Sequence, residues 1–205
     1  MTHIAIVKGD AVQTDRTWMT FADGETRQVA VHVVHDLPHL VVESVFDIHD
    51  GLWGVLARGG FSTANRAAAA RGPRRVRLIT DAPLDDLAQR HWVGHMVAKT
   101  ATNAVVNRWG EGPDTAQGVR SRLAPGASLV EPAAHNSADA AAGEAYRRGI
   151  RELLERVDDD TIERAIRQVG NAAAVWARLP PGEALHVEWP LPQSFFELER
   201  EADAG

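Results

Sequence analysis

Alternating apolar and polar positions predict β-strands at the start of the chain. The short apolar run 4–7 is followed by two segments, 17–21 and 27–34, that flank Asp23-Gly24. An Asp-Gly dipeptide supplies the positive φ angles of a tight hairpin turn. Every second residue of the second arm is valine, as expected of a half-buried strand. The sequence therefore predicts an N-terminal hairpin.

Helical spacing replaces this alternation after His35. Apolar residues recur at intervals of three and four over 37–47, and Asp36 is suited to cap the helix. Pro38 fits a first helical turn, where its missing N–H is not needed. A second short helix is expected at 52–58, ended by the glycine pair that follows it.

The rest of the chain is mostly helical in pattern. Further helices are predicted at 62–71, 83–108, 138–157 and 159–179, and further strands at 74–80 and 183–189. Residues 111–137 are rich in Gly, Pro, Ser and Asn and predict a long loop, with one helical turn near 115–123, or a domain boundary. The acidic tail 197–205 is expected to be frayed.

The order of these elements shows no regular βαβ alternation, which predicts an α+β fold. We expect a mainly antiparallel sheet, built from the N-terminal hairpin and later strands, packed by several helices, with a helical C-terminal half. Because helices alone cannot supply a sheet, the last strand is expected to return to the N-terminal sheet. Residues 1–205 are therefore predicted to form a single domain.

Composition narrows the class of protein. The chain has 205 residues, of which 44% are hydrophobic and 24% charged, values typical of an ordinary globular protein. It has no cysteine, which excludes thiolate nucleophiles, CxxC redox motifs and cysteine zinc sites. The N-terminus lacks the plan of a secretory signal, and no stretch approaches the roughly 18 apolar residues of a membrane helix. These features predict a cytoplasmic protein without a membrane partner.

The net charge of −6 argues against general nucleic-acid binding, which needs a basic field. A local exception is the arginine cluster Arg74, Arg75 and Arg77, with Arg71 close by, around a predicted strand. These arginines could bind a phosphate or carboxylate. The alternative interpretation is a strand end with solvated side chains.

The segment from His35 to Glu43 carries the strongest candidate chemistry. His35 and His39 have the i, i+4 spacing of the two histidines in zinc proteases, with Asp36 where those proteases have Glu. His39 and Glu43 repeat that spacing. The segment therefore predicts a site for zinc, iron or manganese with His35, His39 and Glu43 as ligands, and Asp36 as catalytic base or as orienter of a ligand.

A structural interpretation of the same residues stands beside the metal site. Pro38 confines the predicted helix start to about residue 36, so that His35 need not share a face with His39. Asp is one methylene shorter than Glu, which moves a general base away from a metal-bound water. In this interpretation Asp36 caps a helix, and the histidines pack or form hydrogen bonds at a strand–helix junction.

A second histidine pair extends the metal hypothesis. His91 and His95 also have i, i+4 spacing, on the predicted helix 83–108. If that helix packs against the first one, both histidines could join His39 and Glu43 in a His/carboxylate site. The sequence does not show whether the two pairs meet.

The block His35-Asp36-Leu37-Pro38-His39-Leu40-Val41-Val42-Glu43, followed by Gly51-Leu52-Trp53-Gly54, resembles a group of small uncharacterised bacterial proteins. The resemblance is an HDLxHxxVE…GxWG pattern after a comparable hairpin, and it covers about residues 17–60. It implies no particular activity, but it directs attention to this block.

The sequence is compatible with three classes of function. The first is a non-enzymatic protein that binds a small ligand or a protein partner, with the His–Asp block as scaffold. The second is a metal-dependent hydrolase or other metalloenzyme. The third is an anion-binding regulator that uses the arginine cluster. Substrate, partner and oligomeric state cannot be read from the sequence.

Overall fold

The computed structural model describes residues 1–10, 15–29, 33–59, 92–106, 114–124, 127, 137–192 and 195–196. Within these ranges the chain forms, in order, β1 (Thr2–Val7), β2 (Arg16–Thr20), β3 (Thr26–Val29), α1 (Val33–Val45), α2 (Leu52–Ala57), α3 (Trp92–Val105), α4 (Ala116–Leu123), α5 (Ser137–Arg156), α6 (Asp159–Arg178) and β4 (Ala184–Trp189). Of the helices in the described ranges, none is both long and apolar enough to span a bilayer.

The four strands form an antiparallel sheet in the order β3-β2-β1-β4. β2 and β3 form the predicted hairpin, and Gly24 adopts a positive φ of 84° in its turn. The structure describes β3 over Thr26–Val29, and the predicted strand end at 34 is wrong because α1 already begins at Val33. The hairpin is confirmed, and its second strand is shorter than the valine alternation suggested.

The last strand returns to the N-terminal sheet, as predicted. β4 pairs with β1 along the whole of both strands, from Thr2 opposite Trp189 to Val7 opposite Ala184. β1 therefore lies between strands from opposite ends of the sequence. The antiparallel sheet and the helical second half confirm the predicted α+β fold.

The start of α1 differs from the prediction. The helix begins at Val33, so Asp36 lies inside its first turn and does not act as the N-cap. Pro38 lies within the helix, where it removes one backbone donor. The expected helix start near residue 36 was therefore wrong, and His35 and His39 are both helical residues one turn apart.

The other helices within the described ranges follow the predicted pattern closely. α2, α5 and α6 begin and end within two residues of their predicted limits. Gly59, with φ of 80°, follows α2 as expected. α4 is longer than the single turn predicted near 115–123, and Thr115 caps it. The predicted helix 62–71, the strand 74–80, the first part of the helix 83–108 and the tail 197–205 lie outside the described residues.

The buried side chains form two adjoining clusters along α1 and α6. The first half of α1, with Leu37 and Leu40, packs with the sheet and with Ala172 of α6. Val42, in the second half of α1, packs with α3 and with Ile162 near the start of α6, as does Phe46 just after the helix. The two helices therefore run antiparallel, each joining both clusters.

Candidate functional site

His39 and Glu43, the strongest ligand candidates, lie one turn apart on the buried face of α1. His39 is 2% exposed and Glu43 is fully buried. A buried carboxylate is costly unless polar groups replace the water that it loses. The partners of Glu43 therefore indicate what this residue does.

Glu43 caps the start of α2. Its Oε1 accepts a hydrogen bond from the backbone N–H of Leu52 at 2.8 Å, and its Oε2 accepts one from Trp53 at 2.9 Å. The first N–H groups of a helix have no acceptor within that helix. Gly51, the residue before α2, has no side chain with which to cap it. The side-chain oxygens of Glu43, on α1, supply the missing acceptors.

His39 connects this carboxylate to α3. Its Nδ1 lies 3.4 Å from Oε1 of Glu43 and 3.3 Å from Oγ1 of Thr102, which is also buried. Burial raises the pKa of Glu43, against the lowering effect of His39 and of the two backbone N–H groups. The polar groups around Glu43 thus join three helices, α1, α2 and α3.

The other residues of the block fit tightly around the same point. The indole N–H of Trp53 donates to the backbone carbonyl of Asp36 at 2.8 Å. A Cβ on Gly51 would lie 2.2 Å from Cδ of Glu43, and one on Gly54 would lie 1.9 Å from the carbonyl oxygen of His49. We call His39, Glu43, Gly51, Leu52 and Trp53 the α1–α2 clasp. Its contacts join His39 and Glu43 to the segment Gly51-Leu52-Trp53.

The α1–α2 clasp brings together two of the predicted metal ligands. Among the described residues, no group of three or more His, Asp or Glu side chains is arranged to hold a metal ion. His95 is half-buried on α3, seven residues before Thr102, which places it about 10 Å further along the helix axis. Asp36 contributes its backbone carbonyl to Trp53. The side chain of His35, and His91 as a whole, lie outside the described residues.

The predicted anion site is not part of the structure described. Arg74, Arg75 and Arg77 all lie outside the described residues, so their ability to bind an anion stays a prediction.

A groove typical of ligand-binding sites lies along the same helix, α1, nearer its N-terminus. A groove of about 210 Å³ opens between the first half of α1 and the second half of α6. In the part of the chain that the structure describes, the lining side chains are hydrophobic: Val33, Leu37, Pro38, Val169, Ala172, Ala173 and Trp176. We call it the α1–α6 groove. Ligand sites are typically concave and mostly apolar, with few polar groups.

One ammonium group lies at the Trp176 end of the α1–α6 groove. Nζ of Lys8, just after β1, donates to the carbonyls of Trp176 at 2.8 Å and Ala177 at 3.1 Å. It also lies 5.7 Å from the centroid of the Trp176 ring. Lys8 thus ties the end of α6 to the sheet and places a positive charge beside a groove-lining indole.

Sequence reasoning did not identify the α1–α6 groove or the partners of Glu43. The stripe of Val169, Ala172, Ala173 and Trp176 has the 3-and-4 spacing of one helix face, and its two alanines indicate room on that face. This signal was available, but only the packing of α6 on α1 shows that the face borders a groove. Thr102 gave no signal, because a threonine within a helix is common.

Comparisons with known proteins give no relative. No protein family, curated protein or solved structure matches the chain. The residues and their geometry are therefore the basis for a functional proposal.

Proposed function

We propose that this protein is a non-enzymatic binding protein of the cytoplasm that holds a small apolar molecule in the α1–α6 groove. The observation that carries the proposal is a groove of about 210 Å³ whose lining, among the described residues, is made of aliphatic side chains and one indole. For comparison, an apolar protein cavity of about 150 Å³ binds benzene. A molecule with one or two rings therefore matches the size and the chemistry of the groove.

The α1–α2 clasp acts as scaffold in this proposal. α1 forms one wall of the groove through Val33, Leu37 and Pro38. The same helix is attached to α2 by Glu43 and to α3 by His39. A wall fixed in this way loses little conformational freedom when a ligand binds, which favours affinity. The buried polar residues thus support binding without contacting the ligand.

Binding of toluene and indole to the full chain tests the proposal. Methyl-labelled protein is titrated with each compound and followed by NMR. We expect the methyl signals of Val33, Leu37 and Val169 to shift with saturation, while methyls far from the groove stay in place. No shift of these signals with either compound at millimolar concentration would overturn the proposal.

A matched pair of variants locates the binding site. Ala173 lines the groove and is exposed, so Ala173→Leu fills the mouth of the groove without disturbing the buried core. Ala174 is the next residue on α6, is exposed and does not line the groove. We expect Ala173→Leu to abolish toluene and indole binding and Ala174→Leu to leave it unchanged. Equal binding by both variants would place the ligand elsewhere.

A further inference from the structure

We propose that the ligand of the α1–α6 groove is an apolar carboxylic acid, with its ring or chain in the groove and its carboxylate bound by Lys8. This inference rests on the proposed function and adds the chemical class of the ligand. It is carried by the position of one charged side chain relative to an otherwise apolar groove.

The groove has two different ends. Its α6 wall runs from Val169 to Trp176, seven residues and about 10 Å along the helix axis. Only at the Trp176 end does the structure described here place an ammonium, Nζ of Lys8, 5.7 Å from the indole ring. Lys8 does not itself line the groove, so a ligand reaches this ammonium when its end group extends past Trp176.

Lys8 retains the capacity to bind that end group. An ammonium carries three N–H donors, and the carbonyls of Trp176 and Ala177 take two of them. Lys8 is only partly buried, so its third donor is not confined to the protein interior. Its charge also offsets the partial negative charge at the C-terminus of α6, which would otherwise repel a carboxylate. The site thus combines an apolar wall with one cationic donor.

A carboxylate matches this donor better than a neutral polar group does. A hydrogen bond between an ammonium and a carboxylate is about twice as strong as one between neutral partners. Among the described lining residues, the one polar side-chain group is the indole N–H of Trp176, which can donate a hydrogen bond but not accept one. The arrangement therefore selects a molecule that is apolar along its length and anionic at one end.

The test compares 3-phenylpropanoate with 3-phenylpropanamide, which has nearly the same shape but no charge. Binding of both to the full chain is measured by calorimetry at neutral pH and low salt. We expect the acid to bind wild-type protein at least about tenfold more tightly than the amide. Lys8→Met is expected to remove this preference while the amide keeps its affinity, which shows that the groove is intact.

The control and the contrary outcomes separate the two proposals. Lys99 is exposed on α3, away from the groove lining, and Lys99→Met should keep the preference for the acid. Lys8→Arg, which keeps the charge, should keep most of that preference if Lys8→Met is too unstable to measure. Equal affinity of wild type for acid and amide, or a preference that survives Lys8→Met, would overturn this inference alone. Failure of both compounds, toluene and indole to bind would overturn the proposed function as well.

Discussion

At the scale of single residues, Glu43 shows how a buried carboxyl group can connect two helices. Its two oxygens each accept one backbone N–H at the start of α2, and His39 lies against one of them. Each of those N–H groups would otherwise be buried or half-buried without an acceptor from its own helix. Removing the carboxylate therefore affects two elements at once.

Glu43→Gln should destabilise the fold by about 1–3 kcal/mol. Glutamine keeps one oxygen that can accept a hydrogen bond from a backbone N–H. Its NH₂ group replaces the other oxygen and cannot accept one, so the second backbone N–H loses its acceptor. Urea denaturation measures the change in the free energy of unfolding. Glu152→Gln, at an exposed position of α5, is the control and should have almost no effect. Equal stability of Glu43→Gln and wild type would contradict the assigned role.

The pH dependence of the same variant follows from the raised pKa of Glu43. The ordinary pKa of a glutamate is 4.5. When the pH rises above this value, the carboxyl group of Glu43 is still protonated in the native state but ionised in the unfolded chain. The part of the free energy of unfolding that depends on this proton is therefore fully present below pH 4.5. It is lost as the pH rises through the pKa of Glu43 in the folded state. We expect the stability difference between wild type and Glu43→Gln to shrink as the pH rises from 4.5 toward neutral. A difference that grows over this range would contradict the direction of the shift.

Gly51→Ala should also destabilise the α1–α2 clasp. The φ of Gly51 is −78°, which alanine adopts freely, so the effect is purely steric. The new Cβ would lie 2.2 Å from Cδ of Glu43, and the carboxylate must move away from its two donors. We expect a loss of about 1–3 kcal/mol, comparable to overpacking a core. The loss should be smaller in a Glu43→Ala background, because the clash is then absent.

Gly170→Ala provides the opposite control for that experiment. Gly170 lies within α6, and a Cβ there would meet nothing within 4 Å. Alanine is the better helix former by about 1 kcal/mol, so this variant should be neutral or more stable than wild type. Both glycine variants are compared by urea denaturation, and destabilisation by both would indicate a general effect of the substitution.

The sequence indicated part of this arrangement but not its purpose. The i, i+4 spacing predicted correctly that His39 and Glu43 lie together. It could not show that the carboxylate caps a helix that starts nine residues later, because that contact depends on how the loop between α1 and α2 folds back. The requirement for glycine at position 51 follows from the same contact and is equally invisible in a periodic pattern.

At the scale of elements, helix interiors were easier to predict than helix ends. The polar Asp36 and the proline at 38 favoured a helix start near residue 36, yet α1 begins at Val33. Burial of Val33 against the sheet cluster favours the longer helix, whereas Leu37 is helical with either start. Burying such side chains contributes about 1.5–3 kcal/mol each, enough to outweigh the hydrogen bond that a proline inside the helix removes. Tertiary packing therefore decided this boundary.

Thr115 gives a prediction at this scale. Its hydroxyl accepts a hydrogen bond from the N–H of Gly118 and caps α4. Thr115→Ala should cost about 1 kcal/mol, whereas Thr115→Ser keeps the hydroxyl and should cost much less. Thermal denaturation of the two variants measures the difference. If Thr115→Ser lowered the stability as much as Thr115→Ala, the methyl group of Thr115 would be responsible for the loss, and not the hydrogen bond of its hydroxyl.

At the scale of the whole molecule, the fold class was predictable because the pattern of strands and helices left few arrangements. Helices in the second half cannot form a sheet, so the last strand had to join the first ones. The α1–α6 groove was not predictable in the same way. It exists only because α1 and α6, more than a hundred residues apart, pack side by side with two alanines between them.

The metal hypothesis is tested by elemental analysis of untagged wild-type protein and of a His35→Ala/His39→Ala double variant. The described residues bring no third His, Asp or Glu ligand to His39 and Glu43. We therefore expect far less than one zinc, iron or manganese ion per chain. Near-stoichiometric metal that is lost in a still-folded double variant would replace the proposed function with the metalloenzyme alternative.

The position of β1 between β2 and β4 has a consequence for synthesis on the ribosome. One edge of β1 pairs with β2 soon after both strands emerge, but its other edge waits for residues 184–189. Until then a nascent chain exposes unpaired N–H and C=O groups along a strand that carries Ile4 and Ile6. Such an open edge invites pairing with other chains. A chain without residues 184–189 should therefore aggregate more readily than the full chain.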